Sequence, residues 1–226
     1  METAKKQDFV EIQFIGIADG KVFDTNIEPE LHKINPKAKA EKIVVAIGEG
    51  MLVPGFDKAL EGKEIGKDYE ITIGTKDAFG ERKKELVKTI PLKVFREQNL
   101  DPKPGMIFSL DYSLARVITV SGARVVTDFN NPLAGRDITY KFKIIRQVTD
   151  EKGKSEALFL FYFKTIPEYE IKDQVIVKGI KQLEVLINVY KEKFKEILGK
   201  ELSFELKEKK DEKKNENIEN EKKLAT

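Results

Sequence analysis

The 226-residue chain has no cysteine, no tryptophan and a single histidine, His32. Without cysteine there are no disulfides, thiolate nucleophiles or cysteine-ligated zinc sites. One imidazole cannot form a histidine cluster for a metal, and its neighbours offer it no serine–aspartate triad, so His32 reads as a loop residue. Charge of one sign is missing too. The 41 Lys+Arg against 39 Asp+Glu make no one-sided field for nucleic acid or a membrane surface. Long apolar runs are also absent: "ALFLFYF" (Ala157–Phe163) is far short of the roughly 20 residues that cross a bilayer. "METAKKQDF" lacks the apolar core of a signal peptide. Neither a nucleic-acid nor a membrane partner is expected, and a cytoplasmic location is. Abundant Lys and Glu without Cys or Trp suit a protein built for high temperature.

What is present points to several modules, since a domain takes roughly 100–150 residues. Asp8–Asp24, "DFVEIQFIGIADGKVFD", alternates apolar and polar residues around the turn Asp19-Gly20 and predicts a β-hairpin. Thr25–Lys42, with two prolines and little periodicity, predicts a loop. Ile43–Gly50 predicts a strand, Phe56, Ala59 and Leu60 a short helix closed by Gly62, and Lys67–Gly74 a further strand. Strand, short helix and strand around one core indicate an α+β fold with an antiparallel sheet rather than parallel βαβ units.

After "DAFGER" the composition changes. Ile107–Val126 predicts short antiparallel strands turning at Ser121-Gly122, and Ile138–Val148 returns to the character of the first module. The chain leaves one domain and comes back to it. Further on, "ALFLFYF" predicts a buried strand and "QVIV" another, and Ile180–Leu198 shows helical spacing ended by Gly199. "LSFEL" predicts a last strand, and the charge-and-amide tail after Lys207 a disordered end.

Four stretches set aromatic or branched residues beside Gly or Pro turns: "VFD" (Val22–Asp24), "LVPGF" (Leu52–Phe56), "DAFGE" (Asp77–Glu81) and "NPLAGRDITY" (Asn131–Tyr140). In their order and spacing, with "GFDKALEGKEIGKDYEITI" and "VKTIPLKVF", they resemble the FKBP-type peptidyl-prolyl cis/trans isomerases. The likeness is to the SlyD-like and long archaeal forms, which carry a chaperone domain inserted in the flap, and it covers roughly Asp8–Val148. It implies a split FKBP-like domain (1–81 with 130–149), an inserted domain (82–129), a C-terminal α+β domain (150–207) and the charged tail (208–226).

The resemblance also implies a site. Phe14, Phe23, Asp24, Val53, Phe56, Phe79 and Tyr140 take the catalytic-pocket positions, with Met51–Gly62 serving both as helix entry and as pocket floor and with Phe56 weighing more on isomerisation than on folded stability. Val45, Leu52, Ala78, Asn131, Leu133 and Ala134 take substrate-contact positions, and the Val53 N–H is the family's holder of a substrate carbonyl. Two departures stand out. Phe14 and Phe79 lack a hydroxyl that most relatives offer, and Asn131 replaces a histidine in "NNPLAG".

Asp24 either orients the site or caps its own loop, "FDTN". In the insert, Ile90, Leu92, Val94, Phe95, Met106, Ile107 and Phe108 make either a client groove or the module's own core. No cofactor is implied, because rotation about an X-Pro bond breaks no bond, and the histidine-rich tail that binds nickel in some relatives is absent. The expected partners are unfolded or proline-containing polypeptides, with a possible homodimer through the C-terminal domain. Two alternatives remain open: a holding chaperone with weak or no isomerase activity, and a subunit whose pocket docks one partner.

Overall fold

The computed structural model describes residues 2–110 and 113–207; the charged tail expected to be disordered lies outside the described residues. The chain divides into two compact units at Gln147–Val148, and the fold of both is α+β.

The first unit runs β1 (Phe9–Ala18), β2 (Lys21–Thr25), α1 (Glu28–Ile34), β3 (Ile43–Ala46), α2 (Pro54–Leu60), β4 (Asp68–Ile73), β5 (Val87–Pro91), α3 (Leu92–Glu97), β6 (Ile107–Leu110), β7 (Ser113–Ser121), β8 (Arg124–Asp128) and β9 (Ile138–Gln147). Strands β2-β1-β9-β4 form a sheet in that order, with β3 pairing on β1, and every pairing in it is antiparallel. Val10, Ile12, Phe14 and Ala18 of β1 and Ile138, Tyr140, Phe142 and Ile144 of β9 bury one face, the period-two pattern of a sheet covered on one side. Phe56 and Leu60 of α2 pack against it. That approach depends on Gly55, where a Cβ would meet the side chain of Ile73 and stand 3.1 Å from the carbonyl oxygen of Asp77.

Between β4 and β9 the strands β5-β8-β7-β6 make a separate four-stranded antiparallel sheet. Its core is Phe95, Phe108, Ala115, Val117 and Val125. The ends of this excursion are tied together: Lys83 N–H donates to Asn130 Oδ1 at 2.8 Å and Asn130 Nδ2 donates back to the Lys83 carbonyl at 3.0 Å. Arg82 pairs with Asp128, whose carboxylate also accepts from Asn130.

The second unit holds α4 (Glu151–Phe163), β10 (Glu168–Ile171), β11 (Val175–Gly179), α5 (Lys181–Leu198) and β12 (Leu202–Leu206). β10 pairs antiparallel and β12 parallel to β11, α5 providing the crossover.

Two expectations are corrected. "ALFLFYF" is not a strand but the end of α4, begun by Asp150, whose carboxylate accepts from Gly153 N–H at 2.7 Å. Ser155, Phe159 and Phe163, four residues apart, are all buried, so the run is one helix face with its flanks. The expected loop Thr25–Lys42 contains α1, which buries no residue and is held by Pro29 in its first turn, Glu28 and Glu30 at its start and Lys33 at its end. His32 lies on it, its Nε2 3.1 Å from the Ala38 carbonyl. Among the described residues no helix is long and apolar enough to cross a membrane.

Candidate functional site

The buried face of the first sheet does not close completely. At the end of α2 nearest β2, a cleft of about 380 Å³ opens, lined by Phe14, Phe23, Asp24, Met51, Leu52, Val53, Phe56, Phe79 and Tyr140. Strands β1, β2 and β9, the start of α2 and the turn after β4 each contribute to it. The rings are mutually fixed. Phe56 stacks on Tyr140 with centroids 4.2 Å apart, Phe14 meets both edge-on at 5.9 and 6.0 Å, and Phe23 meets Phe79 edge-on at 5.8 Å. Such contacts supply orientation beyond burial.

Polar bonds hold the backbone around these rings. Thr25 Oγ1 donates to the Phe14 carbonyl at 2.6 Å, while Asn26 accepts from Phe14 N–H at 2.9 Å and donates to the Ile12 carbonyl at 2.8 Å. Thr25 and Asn26 thus bind the "DTN" segment to β1, while Asp24 both accepts from Thr25 N–H in its own loop and lines the cleft. On the floor, the Val53 carbonyl accepts from Phe56 and Asp57 N–H. Asp57 is buried and accepts from Gly48 N–H at 2.9 Å and Gly50 N–H at 3.0 Å, fixing the turn that leads into Met51. Replacing Asp57 with Ala strands both donors, and the urea midpoint is expected to fall by an amount equivalent to about 1–3 kcal/mol. An unchanged midpoint would show that water replaces the carboxylate without loss.

Asp24 is the one acid in the cleft lining. Its residue surface is open to solvent, but the surrounding protein desolvates the carboxyl and pushes its pKa up, against a smaller stabilisation by Thr25 N–H. The Tyr140 phenol is pushed up to about 12, first by burial and then by the Asp24 charge. It is a protonated donor at neutral pH, and among the described residues its hydroxyl has no hydrogen-bond partner. The arrangement is an apolar, aromatic box with one donor and one anion at its rim, suited to binding an extended, uncharged segment of polypeptide.

The structure brings all the expected pocket residues from Phe14 to Tyr140 into this cleft, together with Leu52. Val45 and Ala78 lie behind it in the buried core rather than in its lining. Leu133 packs against the same core, while Asn131 spends its side chain on its own turn, accepting from Leu133 N–H at 2.8 Å as Ala134 N–H bonds to the Asn131 carbonyl. Gly135 N–H donates to the Gly80 carbonyl, so "NNPLAG" is pinned to "DAFGE".

In the insert, Phe95 and Phe108 are buried edge-to-face at 5.0 Å, with Ile90, Leu92 and Met106 packed against them. Val94 is half-buried. Among the described side chains of the insert, Ile107, Leu114 and Ile118 are exposed large apolar ones. A second depression of about 420 Å³ on the sheet is lined partly by paired charges, Lys141–Glu70 and Lys143–Asp68, and by the stacked pair Tyr69 and Phe142 in place of the five rings of the cleft. Among the described residues no group of three or more His, Asp or Glu is gathered to hold a metal. Met51 and Asp57 were not named individually as site residues, although both lie in the Met51–Gly62 stretch expected to form the floor. "MLVPGF" signals the first, as part of one apolar run, while nothing local signals the second.

A family model described as FKBP-type peptidyl-prolyl cis-trans isomerase matches residues 1–94, and one described as FKBP26, IF domain, matches residues 88–133. A short-type peptidyl-prolyl cis-trans isomerase of Methanocaldococcus jannaschii is 35% identical over 144 residues, 62% of this chain and 91% of its own length. The SlyD isomerase of Vibrio cholerae is 33% identical over 112 residues, 46% of this chain and 55% of its own length. That of Escherichia coli is 31% identical over 111 residues, 46% of this chain and 56% of its own length. The chain thus spans about half the length of these SlyD relatives.

Proposed function

Because the chain belongs to the FKBP-type peptidyl-prolyl cis/trans isomerase family, we propose that it accelerates X-Pro isomerisation in unfolded polypeptides and that its aromatic cleft is the site. The observation that carries the reading is the convergence of Phe14, Phe23, Phe56, Phe79 and Tyr140 around one acid and one free hydroxyl. Rotation about the amide meets a barrier of about 18–20 kcal/mol from resonance, and for X-Pro it takes tens to hundreds of seconds unaided. The twisted amide has lost conjugation and is less dipolar than the planar one. A dry apolar box therefore favours it over the ground state, which is the condition for catalysis. In this reading the Tyr140 hydroxyl donates to a peptide carbonyl, and Asp24 sets the field at the rim.

The insert is proposed to hold the client beside the cleft, raising the local concentration of its prolines. Its exposed Ile107 and Leu114 suit that role better than the buried Phe95 and Phe108. With the ends of the insert tied together through Lys83 and Asn130, replacing residues 82–129 by a short linker is expected to leave turnover of a proline tetrapeptide intact. Catalysed refolding of a whole protein should slow by about tenfold or more. Equal retention of both activities would remove the insert from the mechanism. In the second unit, Val185 and Val189 lie exposed one turn apart on α5, and homodimerisation through this face is proposed. Light scattering that shows only monomer at every concentration would end that part of the reading.

The deciding experiment is the refolding of a proline-limited protein with substoichiometric amounts of the chain, alongside an aggregation assay. Acceleration establishes the isomerase. Protection from aggregation without acceleration makes the protein a holding chaperone.

A further inference from the structure

Gly16 of β1 lies directly behind two rings of the cleft lining, Phe23 and Tyr140. Its ladder partners are Asp24 on β2 and Tyr140 on β9, so the three residues form one row across the sheet, running from the buried Tyr140 to the solvent-open Asp24. The β1–β2 ladder slips at this row. Gly16 pairs with Asp24 and Ile17 with Val22, which leaves Phe23 as an extra residue on β2. Consecutive residues of a regular strand point to opposite faces, whereas a bulge re-aims them. This bulge lets both Phe23 and Asp24 line the same cleft.

The Phe23 ring then lies across the glycine. A Cβ on Gly16 would stand 2.7 Å from Phe23 Cζ, 2.9 Å from Phe23 Cε1 and 3.2 Å from Tyr140 Cε1. The φ of Gly16 is not in the left-handed region, so its backbone accepts alanine and only the rings object. Glycine within a strand forgoes packing and marks a close approach; here what approaches is the pair of rings that shape the site.

We propose that Gly16 is a positioning residue for isomerisation: its missing side chain is the space in which the Phe23 and Tyr140 rings take their places opposite Asp24. The inference rests on reading the cleft as the isomerase site.

The test compares wild type, Gly16→Ala, Phe23→Leu and the double variant of the full chain. The readouts are urea midpoint, kcat/KM on an Ala-Pro tetrapeptide, and the NMR resonances of Gly16 Hα. Gly16→Ala is expected to fold and to lose about tenfold to a hundredfold in kcat/KM. In the Phe23→Leu background the same change should cost less than about twofold, because the two act on one contact. Equal losses in both backgrounds, or full activity in Gly16→Ala, overturn the proposal. If Gly16→Ala does not fold, a double variant that folds with the activity of Phe23→Leu supports it, and one that also fails to fold overturns it. If wild type shows no isomerisation, the functional reading fails by itself. The positioning is then judged on the ring-current shift of Gly16 Hα, which must change in Phe23→Leu to what the Tyr140 ring alone supplies; a shift unchanged by that substitution overturns it.

Discussion

Phe56→Ala is expected to lower stability by about 3–5 kcal/mol, the cost of removing a buried aromatic ring and leaving a cavity. Phe56 is 1% exposed, is stacked on Tyr140 at 4.2 Å and meets Phe14 and Phe142 edge-on at 5.9 and 5.2 Å. Its ring is at once the cleft floor and the contact by which α2 sits on the sheet. This revises the expectation that Phe56 serves the pocket more than the fold. Activity and stability should fall together, because a domain stable by only about 5–15 kcal/mol gives up a large share of that margin. Phe56→Leu separates the two roles by keeping most of the volume and losing the flat face. It should cost less in the urea midpoint while the isomerisation rate still drops. An alanine variant that keeps the wild-type midpoint would mean that the floor is formed by other residues.

The double role of Met51–Gly62, helix entry and pocket floor, was legible in the sequence, whereas how deeply the fold depends on the Phe56 ring was not. Alternation along "DFVEIQFIGIADGKVFD" made the β1–β2 hairpin legible, because one buried face imposes period two whatever packs on it. The same alternation carried no sign of the bulge, since Phe23 becomes the extra residue only when β2 takes its register against β1. Nothing in the sequence alone therefore distinguishes Gly16 from any other glycine in a strand. "ALFLFYF" was misread because a short apolar run has no period of its own. The deciding signal lay upstream in Asp150, whose side chain caps the helix at Gly153. α1 was missed for the opposite reason: it buries nothing, so no apolar stripe marks it. β10 (Glu168–Ile171) alternates charge with Tyr169 and Ile171 in an intermediate setting, too weak a pattern to stand out before its pairing with β11. The cleft's aromatics were placed by resemblance, and that placement depends on spacing across more than a hundred residues. Asp57 had no such help, because its role depends on where Gly48 and Gly50 turn in space.

Asp24→Asn is expected to separate function from stability in the opposite sense to Phe56→Ala. Desolvation raises the Asp24 carboxyl above its ordinary 3.8, so in the window between that value and the raised one the folded protein holds a proton that the unfolded chain releases. Stability from this group is complete below the window and is lost as pH rises through the folded value. At neutral pH the fold therefore carries a partly desolvated anion at some cost. Asparagine removes that cost, and the urea midpoint at pH 7 should stay level or rise. The wild type's midpoint relative to the variant's should decline between acid and neutral pH.

Isomerisation should move the other way, falling by about tenfold or more as the fixed charge facing the twisted amide is lost. The Tyr140 phenol gives an independent readout. Its pKa of about 12 owes most to burial and the remainder to Asp24, so it should drop in Asp24→Asn yet stay above the ordinary 10. Because Tyr140 remains protonated across the neutral range, Asp24 is the only cleft group left to give wild-type kcat/KM a pH step, in the carboxylate range, and that step should vanish in the variant. A flat wild-type profile together with a wild-type rate for Asp24→Asn would make the carboxylate a bystander at the rim and leave catalysis to the aromatic box.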